Sequence, residues 1–122
     1  MGYKPFWEKS GVVKHFFGVV TGHDISDSQN DVHGGDKFDS LRYVINDFRD
    51  VQAVDISELD VEYVAALDKA AFLSNPLIRV AIVTTDPIVR EMSEQYANSP
   101  MNVYPTKIFD NMVDAERWAK GK

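Results

Sequence analysis

Acidic and hydroxyl side chains follow two short apolar segments of this chain, and these polar residues are the ones that could do chemistry. The segments span residues 41–48 and 78–84, and both are rich in β-branched residues. This pattern is typical of central strands in a sheet that helices cover on both faces. Ligands of open α/β sheets gather where such strands end. If the strands run parallel, that edge should collect Asp47, Asp50, Asp55, Ser57, Thr84, Thr85 and Asp86.

Two interpretations of this strand-end cluster remain open. A pair of carboxyl groups with divergent pKa values could act as acid and base. Capping explains much of the same pattern, because Ser57 stands three residues before Asp60 and Asp86 stands directly before Pro87. The chain has neither a glycine-rich phosphate loop nor a nucleophile elbow. We therefore expect a non-enzymatic protein, while an enzyme that uses the strand-end aspartates stays an alternative.

Metal and cofactor sites are not predicted. There is no cysteine to supply a thiolate. The histidines do not fall at any common zinc-ligand spacing, and a group of aspartates on one predicted helix face lacks the loop of an EF-hand. We expect exposed histidines at His15, His23 and His33, and a solvated face at Asp24, Asp27 and Asp31.

The order of predicted elements is ββαβαβαβα. A hairpin of residues 3–8 and 12–17 comes first, with Pro5 and Lys14 indicating an edge position. Helices should follow at 21–33, 57–72, from Asp86 to about residue 97, and after residue 110, with residues 49–54 as a connection. Residues 102–109 predict a last strand, interrupted by Pro105 and therefore near an edge. The chain should be a single α/β domain, 1–122, with a mixed, mostly parallel sheet of four or five strands.

The helix at 21–33 and the aromatic pairs carry further expectations. Only Ile25 and Val32 give that helix an apolar stripe, so we expect it to pack loosely on the rim. Neighbouring side chains on a strand point to opposite faces. Phe16 and Phe17 must therefore point to opposite faces of the sheet. A helix could cover the second ring, or alternatively a homodimer could form through the hairpin and bury it.

The charge balance excludes some partners. The chain has 13 basic and 19 acidic residues, a net charge of -6. A nucleic-acid partner would need a basic face, so none is predicted. The amino-terminal residues have no apolar signal core and no apolar run reaches membrane-spanning length, so we expect a cytoplasmic protein that does not span a membrane.

Several phrases of the sequence resemble the SpoIIAA-like family, which is related to the STAS domains of anti-sigma-factor antagonists. They are Gly18-Val19-Val20-Thr21 before the first long helix, LRYVINDF and IRVAIVTTD on the core strands, and IFDNMVDAERW at the end. The resemblance covers nearly the whole chain and implies a small STAS-like α/β domain. Some relatives are compared with the CRAL-TRIO lipid-transfer fold.

The resemblance also implies a function. STAS antagonists carry an Asp-Ser-Ser-Gly phrase with a phosphorylated serine, and Asp55-Ile56-Ser57-Glu58 occupies the matching place here with only Asp55 and Ser57 in common. Ser57 is thus a candidate phosphoacceptor, although nearby carboxylates oppose a second anion. The implied function is a regulatory module that binds a protein partner or itself. The alternative is a carrier of a lipid or another apolar small molecule.

Overall fold

A computed structural model describes residues 2–121 and shows five strands and four helices. The strands are β1 (Tyr3–Trp7), β2 (Gly11–Thr21), β3 (Tyr43–Asp55), β4 (Arg79–Val83) and β5 (Thr106–Phe109). The helices are α1 (Gly22–His33), α2 (Glu58–Phe72), α3 (Pro87–Asn98) and α4 (Met112–Ala119), and a 3-10 turn spans Phe38–Ser40. The predicted order ββαβαβαβα is confirmed.

The five strands form one sheet in the order β1-β2-β3-β4-β5. β1 pairs antiparallel with β2, and every other pair is parallel. β3 and β4 lie side by side and point the same way, as the two apolar segments predict. β1 and β5 are the edges, which suits Pro5 within β1 because proline has no N–H for a second ladder.

Side chains alternate between two faces of the sheet and build two cores. One face carries Val12, Val44, Val80 and Ile82 and packs against α1, α2 and α3. The other carries Ile45, Ala81 and Val83 and packs against α4. The β1–β2 end of this second face lies outside α4. Phe17 is therefore 41% exposed while its neighbour Phe16 is fully buried, and the predicted split of this pair is confirmed.

The predicted connection at residues 49–54 is wrong, because β3 continues without a break to Asp55. β2 likewise runs on to Thr21, and the two strands pair over this extra length through register shifts near Phe17 and Gly18. Gly18 adopts a φ of 68°, a left-handed conformation that glycine tolerates and that fits such an irregularity. The two strands therefore extend as a ribbon well past the end of β4.

The expectations for Lys14 and for α1 are also wrong. Lys14 lies on the second strand of the sheet, not at an edge, and is only 1% exposed. α1 buries polar side chains, among them Ser28 and Gln29, against this lysine. The apolar stripe of α1 is short because part of its buried face is a hydrogen-bonded polar one.

Candidate functional site

Ser57 caps the amino end of α2, at the tip of the β2–β3 ribbon. The Asp60 amide donates to Ser57 Oγ at 3.1 Å, and the Ser57 amide donates to Asp60 Oδ2 at 2.9 Å. This reciprocal pair is the predicted capping box, and it satisfies two amide donors at the helix start. Ser57 is exposed, so its hydroxyl is accessible from solvent.

The start of α1 packs tightly against this cap. A Cβ added at Gly22 would lie 2.3 Å from the Asp60 Cγ atom, so a side chain there would displace the capping carboxylate. Thr21 caps α1 in the same way, through a capping box with Asp24. The hydrogen bond from the Thr21 amide lowers the pKa of Asp24, which keeps this cap ionised. Two helix starts therefore meet at the ribbon tip.

An exposed apolar ridge follows Ser57 along α2. Leu59 is 81% exposed and Tyr63 is 56% exposed. Residues four apart lie on the same face of a helix, so the two side chains form one ridge. Asp55 and Glu58 beside it are exposed carboxylates. The tip thus presents apolar side chains inside an acidic border, and Ser57 lies within it.

Asp47 belongs to a different group of charges, in the middle of β3. It is 2% exposed and lies opposite Val83, the last residue of β4. Arg49 donates to both its oxygens, at 2.9 and 3.0 Å. The His15 ring lies between Asp47 and Asp50: its Nδ1 atom is 3.4 Å from Asp47 Oδ2, and its Nε2 atom is 3.1 Å from Asp50 Oδ2. His15 is thus partly buried among carboxylates, and the expectation of an exposed histidine there is wrong.

The ionised form of Asp47 is stabilised by its neighbour. Burial raises the pKa of this carboxyl group, but the hydrogen bonds and charge of Arg49 outweigh it, and the pKa falls below its usual range. The same contacts raise the pKa of Arg49. This is a closed ion-pair group on the sheet face, with its donors and acceptors directed at one another.

The remaining predicted site residues lie at the end of β4. The Asp86 carboxylate accepts from the amides of Ile88 and Val89, as expected of an N-cap. Thr84 is buried and accepts from the Asp86 amide, and Thr85 is exposed. Thr85 and Asp86 make no side-chain hydrogen bond to the other predicted site residues in the range 2–121, apart from the contact with Thr84.

The predicted cluster is therefore divided. Asp47 lies level with the end of β4, whereas β3 continues for eight more residues to Asp55. At about 3.3 Å per residue, this separates Asp47 from Asp55 by about 25 Å along the strand. Asp55 and Ser57 stand at the ribbon tip, and Asp47 and Asp50 stand within the sheet. The long β3 is the reason that the single cluster does not form.

A buried polar network was missed by sequence reasoning. Lys14 donates to Ser28 Oγ at 3.2 Å and to the Gln29 side-chain oxygen. The Gln29 amide donates in turn to Asp68 Oδ1 at 2.5 Å. Tyr96 donates to the other Asp68 oxygen. The signal was present in the sequence: Lys14 stands between apolar residues, and Ser28 and Gln29 fall on the same helix face as Val32.

The polar groups of this network are buried and pair with one another. Asp68 is 4% exposed and also lies 3.2 Å from His33 Nε2, so the expectation of an exposed histidine is wrong there too. Burial lowers the pKa of Lys14 to about 8, partly offset by the charge of Asp68. Burial and the Asp68 carboxylate raise the pKa of Tyr96, so the phenol stays protonated. The network fixes α1, α2 and α3 to the sheet.

A small apolar cavity lies beside this network, between the sheet and α1, α2 and α3. Its volume is about 90 Å³, and Ile25, Val61 and Met92 are among its lining residues. Asn46 also lines it and makes no side-chain hydrogen bond within residues 2–121. Pockets for drug-sized ligands measure about 300–1,000 Å³. The space between α1 and α2 is thus neither filled nor large enough for a lipid chain.

Between Gly2 and Gly121, no group of three or more potential ligands is placed to hold a metal ion. No helix in that range is both long enough and apolar enough to cross a membrane.

The arrangement of these elements matches solved structures over the full length. The anti-sigma factor antagonist SpoIIAA in its unphosphorylated form superposes with a TM-score of 0.66 and 12% identity, over 98% of this chain and 99% of that one. The fold is SpoIIAA-like. At this level of identity the likeness establishes the fold, and the predicted STAS-like architecture is confirmed.

Two further structures share the SpoIIAA-like fold. The phosphorylated form of SpoIIAA, described as a Bacillus cell fate determinant, has a TM-score of 0.62 and 10% identity, over 95% of this chain and 98% of that one. An uncharacterised DUF3478-family protein from Shewanella loihica PV-4 has a TM-score of 0.61 and 16% identity, over 97% and 93%. No protein-family model and no curated protein sequence matches this chain.

Proposed function

We propose that this chain is a non-enzymatic regulatory module that binds a protein partner through the ribbon tip around Ser57. The observation that carries the proposal is the exposed ridge of Leu59 and Tyr63 directly behind the cap. Two large apolar side chains on one exposed helix face are typical of a surface that a partner covers. The SpoIIAA-like fold supports the proposal, since SpoIIAA is an anti-sigma factor antagonist.

The charges at the tip define the partner. Asp55 and Glu58 are exposed, and Asp60 is used by the cap. A partner that covers this surface should offer an apolar pocket bordered by lysine or arginine side chains, because opposite potentials steer and orient protein association. The occupant is therefore a basic-rimmed protein surface.

Ser57 is the proposed regulatory position within this surface. SpoIIAA has been solved in unphosphorylated and phosphorylated forms. A phosphate on Ser57 would add a charge of about -1.5 to -2 beside Glu58 and Asp60. It would also occupy the oxygen that accepts the Asp60 amide. Modification would change both the charge and the shape of the tip, which is what a binding switch requires.

A comparative capture experiment tests the binding surface. Leu59→Asp and Tyr63→Asp should each remove a partner that the unmodified protein captures from host lysate, as quantified by mass spectrometry. Leu73→Asp is the matched control, because Leu73 is 88% exposed and ends the same helix at the opposite pole. A captured protein lost equally from the Leu73 variant would contradict the assigned surface, as would one retained by both tip variants.

The cavity beside Asp68 supports a second candidate, a carrier of an apolar small molecule. With about 90 Å³, it suits a compact ligand of a few heavy atoms, to which the Asn46 amide could hydrogen-bond. A lipid would require α1 to move away from the sheet. Native mass spectrometry of the protein purified from its host tests this function, and the absence of any bound small molecule would count against it.

A further inference from the structure

A second cleft lies at the opposite end of the sheet from Ser57. It has a volume of about 420 Å³ and lies between the β1–β2 turn, the residue before β3, and the end of α4. This volume falls within the range of small-molecule sites, about 300–1,000 Å³. The polar residues that line it are Glu8, Lys9, Ser10, Arg42, Tyr43 and Lys120.

Two of the three cations in this cleft carry no compensating carboxylate. Within residues 2–121, neither Lys9 nor Arg42 makes an ion pair. One guanidinium nitrogen of Arg42 donates to the carbonyl oxygens of Asp39 and Leu41, at 3.2 and 2.7 Å. Its other N–H groups make no hydrogen bond in this range. A guanidinium held in this way still offers donors to an anion.

The single carboxylate of the cleft is already engaged. Glu8 accepts a hydrogen bond from the Tyr43 hydroxyl and lies 3.8 Å from Lys120 Nζ. Burial and Glu8 raise the pKa of Tyr43, so the ring remains neutral. A Cβ at Gly11 would meet the Tyr43 ring at 2.1 Å, so the glycine lets the ring pack flat against β2. The Tyr43 ring thus forms a fixed and uncharged part of the cleft wall.

The charges select the ligand. Lys9 and Arg42 are two positive charges of the cleft that have no ion-pair partner in the described chain, whereas Lys120 lies 3.8 Å from Glu8 and 3.9 Å from Glu116. A phosphomonoester carries about -1.5 to -2 at neutral pH, whereas a simple carboxylate carries -1. Arginine and lysine together are common phosphate ligands. We propose that this cleft binds a phosphomonoester group, with Arg42 and Lys9 as its principal contacts.

The volume of the cleft exceeds that of a phosphate group, which leaves room for an attached organic body. That body could belong to a soluble phosphate ester or to the headgroup of phosphatidic acid, and both sources share the same phosphomonoester chemistry.

Titration followed by amide chemical shifts tests the site on the full chain. Glycerol 3-phosphate should shift the amides of Lys9, Ser10 and Arg42 saturably, and its affinity should weaken as the pH falls below about 6, where the ester loses its second charge. Arg42→Gln should weaken binding about tenfold or more, because charge-assisted hydrogen bonds to phosphate are lost. Lys9→Gln gives a second, independent variant, and Arg90→Gln on α3 is the control.

Vesicles separate the two sources. Binding to vesicles that contain phosphatidic acid, without binding to glycerol 3-phosphate, would assign the group to a lipid headgroup and support the site. Binding of the soluble ester would also support it. The proposal is overturned if neither ligand binds, if inorganic sulfate binds as tightly as glycerol 3-phosphate, or if Arg42→Gln and Lys9→Gln retain full affinity.

Discussion

The buried lysine should make the stability of this protein rise with pH. Burial lowers the pKa of Lys14 to about 8 in the folded chain, from an ordinary 10.5. The unfolded chain therefore binds more protons between these two values, and the free energy of unfolding increases with pH in that window. The difference corresponds to about 3 kcal/mol in total, of which about 1 kcal/mol should be gained between pH 7 and pH 9.

Lys14→Met isolates this effect. The substitution removes the charge and keeps much of the volume, but it leaves the Gln29 side-chain oxygen without its donor. An unmade buried hydrogen bond costs about 1–3 kcal/mol, which offsets most of the gain from removing a buried charge. The variant should therefore have nearly the stability of the parent at pH 7 and be less stable at pH 9.

Urea unfolding at pH 7, 8 and 9, followed by circular dichroism, measures the slope. Lys4→Met is the control, because Lys4 is exposed on β1 and its variant should keep the parent's pH dependence. Measurements end at pH 9 because the tyrosines with raised pKa values, Tyr3 at about 12 among them, oppose the trend once the unfolded chain loses its phenol protons near pH 10. An equal slope in the Lys14 variant would refute the reasoning.

Three further predictions concern packing and acid stability. Gly22→Ala should lower the free energy of unfolding by about 1–3 kcal/mol, because its Cβ meets Asp60; urea unfolding measures this, and an unchanged value would contradict the close approach. Asn75→Ala should lower the free energy of unfolding by about 2–3 kcal/mol, because two buried carbonyl oxygens lose their donor. Urea unfolding measures this, and a loss below about 0.5 kcal/mol, the scale of a surface substitution, would contradict it. The lowered pKa of Asp47 gives stability that is present above about pH 4 and is lost on acidification. The melting temperature of Asp47→Asn should therefore decline less steeply from pH 5 to pH 2 than that of the parent, because Arg49 lacks this carboxylate at both pH values. An unchanged decline would count against the ion pair.

Local hydrogen-bond signals in the sequence were reliable. Ser57 and Asp86 were both predicted as N-caps, and each accepts a backbone amide hydrogen bond expected of a cap. The reason is that a cap depends on residues two or three positions away, which the sequence places directly. The central pair of parallel strands was also predicted, because short continuous runs of β-branched apolar residues are typical of strands buried on both faces.

Long-range pairing decided what sequence reasoning missed. Residues 49–54 mix charged, polar and apolar side chains without a regular alternation and were interpreted as a connection, but β2 pairs with this stretch of β3. The pairing places Asp55, at the end of β3, about 25 Å from Asp47 along the strand and so divides the predicted cluster. Lys14 was interpreted as an edge residue, and this was wrong because the side chains that accept from it lie on α1, 14 and 15 positions further along the chain. The apolar neighbours of Lys14 signal that it is buried, and Ser28 and Gln29 share a helix face with Val32, but only the tertiary structure shows that these two side chains meet the lysine.

The dimer through the β1–β2 hairpin, the cytoplasmic location and the single-domain organisation stay predictions. The uncovered part of the sheet near Phe6 and Phe17 is compatible with self-association, and light scattering tests it. A monomer at all concentrations would remove the dimer from consideration.

We propose above that the tip around Ser57 binds a partner and that a phosphate on this residue controls the binding. The most direct test is the affinity of the captured partner for chain carrying phosphoserine at position 57, compared with unmodified chain by calorimetry. We expect the phosphate to weaken the affinity at least about tenfold, because charge-assisted contacts of this kind contribute on the order of 1.5 kcal/mol or more. Equal affinity for the two forms would contradict it.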